Sequence, residues 1–328
     1  MNREDVIIIG AGPCGLSAAI ALKKKGFNPL IIERGNVVNA IYRYPTHQQF
    51  FSTSEKLAIG GIPFYSTERK PKRNEALVYY REVVKEKDLR INAFEEVTSV
   101  SKDPNGQFLL TSSKYGESKT YSAKYVIVAT GYYDSPNYME VQGENLPHVR
   151  HYFKEAHPYF DQDVCVIGGK NSAVDAALEL DKAGARVTVL YRGEEYSKSV
   201  KPWILPEFDG LVRNGAINMV FNACIDEITE EYVSYSVGKE QHQVKADFVF
   251  AMTGYHPDHS FIKKMGVTID DDTGRPEFNA ETMETNCEGI YIAGVIAAGN
   301  NANEIFIENG RHHGGAIAAS IILKEAGL

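Results

Sequence analysis

The 328-residue sequence is short of cysteine, tryptophan and cationic excess, and each shortage removes a class of function. Its four cysteines, Cys14, Cys165, Cys224 and Cys287, stand far apart, with no Cys-x-x-Cys pair. That spacing argues against a disulfide framework and against a zinc site, so no metal is expected. Lys and Arg total 35 against 43 Asp and Glu, a net charge of −8, which argues against a nucleic-acid partner. No apolar run reaches the roughly 18 residues of a membrane span. The first residues already read as a strand, which leaves no room for a signal peptide, and a cytoplasmic protein is expected. With 43% hydrophobic residues, the chain has enough apolar side chains for two ordinary domains.

What is present is one programme written twice. The first copy runs Val6-Ile7-Ile8-Ile9, then Gly10-Ala11-Gly12-Pro13-Cys14-Gly15, a helical stretch, and Leu30-Ile31-Ile32-Glu33. The second runs Val164-Cys165-Val166-Ile167, then Gly168-Gly169-Lys170-Asn171-Ser172-Ala173, a helical stretch, and Val187-Thr188-Val189-Leu190-Tyr191-Arg192. Each copy closes on an apolar strand and a glycine: Ala129-Thr130-Gly131-Tyr132 and Met252-Thr253-Gly254-Tyr255. A glycine turn between a strand and a helix lets a pyrophosphate approach the backbone and the helix N-terminus. Two such turns imply two dinucleotides exchanging electrons.

The two copies differ at the end of the next strand. Glu33 is placed to accept hydrogen bonds from ribose hydroxyls, which suits FAD. In the second copy Lys170 stands where the middle glycine belongs, and its side chain must turn away or lie over the phosphates. Arg192 replaces the acidic ribose reader, with Lys198 and Lys201 beyond it. An arginine there suits a 2′-phosphate, which assigns NADPH to the second copy. The plain alternative is that these cations are solvated surface.

The expected fold is α/β: two Rossmann-like domains of three layers (ββα), the second inserted in the first. Residues 1–134 with 257–328 form the expected FAD domain, and residues 135–256 the NADPH domain. Residues 36–66 read as irregular, 74–88 as a helix and 91–128 as strands. Gly131 and Gly254 are natural hinges for a domain motion.

These motifs resemble the two-dinucleotide flavoproteins that include low-molecular-weight thioredoxin reductases. Two departures stand out. The stretch Arg150–Ala156, where those reductases carry Cys-x-x-Cys, has no cysteine, and Gly294 is followed by Val295 rather than the usual aspartate. A finer resemblance is to the bacillithiol-disulfide reductase family (YpdA type). It rests on Gly12-Pro13-Cys14-Gly15, Tyr44-Pro45-Thr46-His47-Gln48, Leu77–Val84, Gly168–Asp175 and Glu308–Gly315. The resemblance implies FAD, NADPH and a small disulfide substrate, bacillithiol disulfide, in a homo-oligomer. It implies FAD contacts from Gly10, Gly12, Pro13, Cys14, Gly15, Glu33, Arg34, Asn39, His47, Val97, Thr130, Gly131, Gly294 and Glu308. For NADPH it implies Gly168, Gly169, Lys170, Asn171, Ser172, Arg192, Lys198 and Gly254.

Cys14 is the candidate catalytic residue. At a helix N-terminus the dipole favours a thiolate, which would attack a disulfide and be released by flavin electrons. The competing reading is a small packing residue. His47 reads equally as a flavin or substrate contact and as a packing histidine, while His312 and His313 open the last helix. Three other functions share the fold: a ferredoxin- or flavodoxin-NADP reductase, a flavin monooxygenase, and a non-catalytic FAD/NADPH redox sensor.

Overall fold

The computed structural model describes residues 2–301 and 303–327. The chain divides into two compact units, Met1–Ser135 with Tyr255–Leu328, and Pro136–Gly254.

The first unit opens with β1 (Asn2–Ile9), α1 (Pro13–Lys23) and β2 (Leu30–Glu33). Val6 to Ile9 are all buried, as a strand covered on both faces requires. Two short helices, α2 (Asn39–Arg43) and α3 (Ser54–Leu57), interrupt the segment expected to be irregular. The long helix α4 (Arg73–Glu86) pins that segment: Tyr80 donates its hydroxyl to the Leu57 carbonyl at 2.9 Å, and Tyr79 reaches the Ile62 carbonyl at 2.8 Å. Then come β3 (Arg90–Ala93), β4 (Glu96–Lys102), β5 (Phe108–Lys114) and β6 (Glu117–Val128). β6 is long because it serves two neighbourhoods. It pairs antiparallel with β5 through residues 117–123 and parallel with β1 from 121 to 128.

The second unit holds β7 (Val149–Arg150), β8 (Asp163–Ile167), α5 (Asn171–Lys182), β9 (Arg186–Leu190), α6 (Leu205–Arg213) and β10 (Ile217–Val220). Strands β11 (Ala223–Ile228), β12 (Tyr232–Val237) and β13 (Glu240–Lys245) come next, then β14 (Phe248–Ala251). The parallel sheet has the order β10-β9-β8-β14-β7, and β11-β12-β13 form a separate antiparallel sheet. Alternation along β8 builds three layers. Val164 and Val166 pack with Ala173, Val174 and Leu178 of α5, while Cys165 and Ile167 pack with Val233 and Tyr235 of the antiparallel sheet. Cys165 is fully buried there, and burial pushes its thiol far up.

The chain then returns to the first unit with α7 (His259–Lys264), β15 (Ile290–Ile292), α8 (Ile307–Gly310) and α9 (His313–Glu325). β15 pairs with β6 and completes a sheet of order β3-β2-β1-β6-β5-β4, seven strands in all. α9 lies against α1. A β-carbon on Gly314 would sit 2.5 Å from the Ala18 Cα, so glycine is required at that approach. The Ser17 hydroxyl donates to the Arg311 carbonyl at 2.6 Å on the same joint. Among the described residues no helix is long and apolar enough to cross a membrane.

Gly314→Ala forces a backbone shift at this joint and is expected to cost about 1–3 kcal/mol in chemical denaturation. The next residue is the control. A β-carbon on exposed Gly315 meets nothing within 4 Å, so Gly315→Ala should be neutral or gain up to about 1 kcal/mol of helix propensity.

Candidate functional site

Between β1 and α1 the backbone is forced by a close approach. Gly10 has φ +109°, and a β-carbon there would lie 2.5 Å from the Ala129 carbonyl oxygen. One on Gly15 would lie 2.1 Å from the Gly10 carbonyl oxygen. At Gly12 a β-carbon would meet nothing within 4 Å, so this edge of the turn is open. Pro13 opens α1, where its missing N–H costs nothing.

Glu33 ends β2 and accepts the Ala11 N–H at 2.8 Å and the Gly35 N–H at 2.7 Å. Burial raises its pKa above the ordinary carboxylate value despite both bonds. Its carboxyl is therefore held in place with lone pairs to spare for hydroxyl donors. Next to it, Arg34 pairs with Asp134 at 2.6 Å and Glu96 at 3.4 Å. Val38 donates its N–H to the Ala11 carbonyl at 3.0 Å while holding φ +48°, a strained conformation for a β-branched residue. Asn39 comes directly after it and packs on Gly35. The turn is thus lined by Gly10, Gly12, Glu33, Arg34 and Asn39, a set that fits a dinucleotide's ribose and pyrophosphate.

The remaining first-unit candidates sit around this frame. Val97 lies buried in β4 where the register with β5 slips. Thr130 and Gly131 come after the closing strand, with Gly131 at φ +73°. His47 is exposed in the turn after α2, and Glu308 pairs with Lys56 at 3.4 Å.

The second turn repeats the first approach. A β-carbon on Gly168 would lie 2.5 Å from the Met252 carbonyl oxygen. Lys170 is exposed at the position of Gly12, whose open edge explains why a long side chain fits there. Ser172 is exposed in the first turn of α5. Asn171 donates to the Ser199 carbonyl at 2.8 Å and accepts the Lys201 N–H at 3.0 Å, tying the loop that carries Lys198 to the start of α5. Arg192 and Lys198 are exposed, and none of Lys170, Arg192 and Lys198 forms an ion pair among the described residues. Three such cations at the C-terminal edge of a parallel sheet suit a phosphorylated ligand. Gly254, at φ +94°, ends the unit, and its carbonyl accepts the Asn137 N–H at 2.9 Å.

One sequence assignment needs correction. Strand register pairs Ile9 with Ile32 and Ile167 with Leu190. The residue matching Glu33 is therefore Tyr191, and Arg192 matches Arg34. The reasoning that placed Arg192 at the acidic position was displaced by one residue. The signal was present in the sequence, since equal spacings separate Gly10 from Glu33 and Gly168 from Tyr191.

Cys14 is wedged where sequence reasoning did not look. A β-carbon on Gly310 would lie 2.9 Å from its sulfur, and one on Gly294 would lie 3.0 Å from it. Gly294, at φ +84°, donates its N–H to His313 Nδ1 at 3.1 Å, and burial lowers the His313 pKa. Burial pushes the Cys14 thiol up to about 12, against the thiolate expected from the helix dipole. Among the described residues no group of His, Cys, Asp and Glu could hold a metal ion.

Two nucleotide turns, each between a parallel strand and a helix of its own α/β unit, define a two-dinucleotide flavoprotein. A model of the pyridine nucleotide-disulphide oxidoreductases matches residues 7–294, and the chain belongs to that family. FAD and NADP(H) are its cofactors, and disulfide reduction is its chemistry. Over 99% of both chains it is 67% identical to the bacilliredoxin reductase Bdr of Bacillus subtilis. A solved bacillithiol disulfide reductase (YpdA) from Bacillus cereus is 65% identical, with a TM-score of 0.97 over 98% of this chain and 100% of that one. Its Staphylococcus aureus counterpart is 58% identical, with a TM-score of 0.95 over 99% of this chain and 100% of that one.

The thiol environment sets a pH dependence. Below its pKa of about 12 Cys14 is protonated. Alkylation of Cys14 in the folded protein should be negligible near neutrality and rise about tenfold per pH unit. Exposed Cys224 should be labelled first. Cys14 is half-buried, so access alone does not protect it; mass spectrometry of iodoacetamide-treated protein reads both sites, and rapid Cys14 labelling at pH 7 would contradict the raised thiol pKa.

Proposed function

We propose that the chain reduces bacillithiol disulfide with NADPH, FAD lying in the unit of residues 1–135 and 255–328 and NADPH in the unit of residues 136–254. The observation that carries the cofactor placement is the contrast between the two turns. One holds a carboxylate on two backbone N–H groups, and the other offers three unpaired exposed cations. The substrate reading draws on the relatives: that of Bacillus cereus is named a bacillithiol disulfide reductase. We further infer a cytoplasmic protein, since a low-molecular-weight disulfide is kept reduced in the cytoplasm; the homo-oligomer, a dimer or larger, rests on the family resemblance alone.

FAD, which Gly10, Gly12, Gly15 and Glu33 would hold, would supply the two-electron transfer that couples NADPH to a disulfide. The balance is NADPH, one proton and one disulfide giving NADP⁺ and two thiols. In this reading Gly10, Gly12 and Gly15 admit the first pyrophosphate, and Glu33 orients the ribose. Arg192 and Lys198 meet the 2′-phosphate, and Asn171 holds the Lys198 loop. Cys14, once deprotonated, forms a mixed disulfide with one half of the substrate and releases the other half as a thiolate; two electrons and the protons of the overall balance then break the mixed disulfide, freeing the second thiol and Cys14, whose sulfur sits against Gly294 and Gly310.

Charge-assisted bonds to a 2′-phosphate are worth about 1.5–3 kcal/mol each. Arg192→Ala should therefore raise the KM for NADPH by about tenfold or more and leave NADH little changed. The substrate test measures anaerobic NADPH oxidation with bacillithiol disulfide, oxidised bacilliredoxin, oxidised glutathione, flavodoxin and oxygen supplied separately. Turnover with bacillithiol disulfide, lost in Cys14→Ala while flavin reduction persists, supports the reading with Cys14 as nucleophile. Turnover that survives Cys14→Ala assigns Cys14 to packing. Turnover with flavodoxin alone overturns the substrate.

A further inference from the structure

Tyr191 occupies, in the second unit, the place that Glu33 occupies in the first. Register makes Gly169 the counterpart of Ala11, and Gly193 that of Gly35. The Glu33 carboxylate lies between the N–H groups of Ala11 and Gly35. The Tyr191 ring lies between the corresponding glycines. A β-carbon on Gly169 would sit 2.3 Å from the ring, and one on Gly193 would sit 2.4 Å from its edge. Both glycines are thus filled by one aromatic side chain, and Ala11 has a β-carbon only because its partner is a slimmer carboxylate.

A carboxylate at this position accepts from ribose hydroxyls and repels a phosphate; the Tyr191 phenol puts one neutral oxygen, at the Gly193 edge of its ring, in place of two charged ones and repels no phosphate. We propose that Tyr191 sets which dinucleotide the second unit takes. Its ring takes the place of the carboxylate, so a nucleotide with a free 2′-hydroxyl meets no charged acceptor there. A 2′-phosphate meets Arg192, the next residue, with no carboxylate opposing it. Selectivity then has two parts, attraction by Arg192 and a withheld carboxylate at Tyr191. The inference rests on the second unit binding NADPH.

The test uses the FAD-loaded protein, so the first turn is filled, and titrates adenosine 2′,5′-bisphosphate and 5′-AMP by calorimetry. Wild type should favour the bisphosphate by about tenfold or more, the selectivity of a site built for one polar group. Tyr191→Glu, alone or with Gly169→Ala to rebuild the Ala11–Glu33 pair, should tighten 5′-AMP, weaken the bisphosphate and reverse the ratio. Tyr191→Leu, which also lacks a carboxylate, should keep the ratio even if both affinities fall. A ratio unchanged in Tyr191→Glu, or shifted equally by Tyr191→Leu, overturns the role of Tyr191. Arg192→Ala separates the two readings: if it leaves bisphosphate affinity intact, the NADPH assignment itself fails. If it lowers that affinity while Tyr191→Glu does nothing, only the Tyr191 proposal fails. Retained flavin and an unchanged melting temperature verify that each variant is folded.

Discussion

Each nucleotide turn depends on a backbone approach that no side chain survives. At Gly10 the missing β-carbon would stand 2.5 Å from the Ala129 carbonyl oxygen, and at Gly168 the same distance from that of Met252. Real β-carbons do not come so near an oxygen, so any other residue would push the closing strand away from the turn. That strand carries the next constraint. The Ala129 N–H bonds to the Ile9 carbonyl and the Met252 N–H to the Ile167 carbonyl, both at 2.8 Å. First strand, glycine turn and closing strand therefore form one rigid corner, and the nucleotide-reading residues are hung from it. Both corners end in a left-handed glycine, Gly131 or Gly254.

On this common corner the copies diverged at a coupled pair as well as at a single residue. The change from Gly12 to Lys170 needs no partner, because a β-carbon at Gly12 meets nothing within 4 Å. Ala11 goes with Glu33, and Gly169 goes with Tyr191, because ring and β-carbon cannot share one space. Exchanging one member alone would leave either a clash or a gap. The identity of one residue in a pair thus limits its partner, and a packing rule sets the chemistry of each site.

Much of this was legible in the sequence for physical reasons. Buried parallel strands are written as continuous apolar runs, and Val6–Ile9 and Val164–Ile167 are unmistakable. The helix expected at 74–88 from Leu77, Val78, Tyr80 and Val84 is found at Arg73–Glu86, and the apolar face it buries is Ala76, Tyr79, Tyr80 and Val83, with Val78 exposed. What escaped depended on contacts made at long range. The short helices α2 and α3 lack periodicity and are held from a distant element: Arg73 of α4 donates to the Ile41 and Tyr42 carbonyls of α2, and Tyr80 to the Leu57 carbonyl of α3. Val38 gives no sign of its strained backbone, which is sustained by a bond to the Ala11 carbonyl. Tyr191 was missed for a different reason. Charge drew the eye to Arg192, although counting from each first glycine would have found the true counterpart.

Cys14 shows how two sound local arguments are weighed. A helix N-terminus favours a thiolate by about 0.3–1 kcal/mol at ordinary exposure. One pKa unit corresponds to about 1.4 kcal/mol, so the dipole moves a thiol by less than a unit. Burial acts the other way and more strongly, lifting the thiol from 9.0 to about 12. The neighbouring Tyr44 and Tyr80 are themselves pushed up by burial and stay neutral, so neither serves as a base at physiological pH. His313, whose pKa burial lowers, has its Nδ1 committed to the Gly294 N–H. In the second copy Ser172 occupies the equivalent place in the first turn of its helix, exposed rather than wedged. The two turns thus put a small polar side chain at the same point, and only the first encloses it, between Gly294 and Gly310. The thiol there is held in reserve in its protonated form, and a nucleophilic step requires that its proton leave before or as the disulfide is attacked.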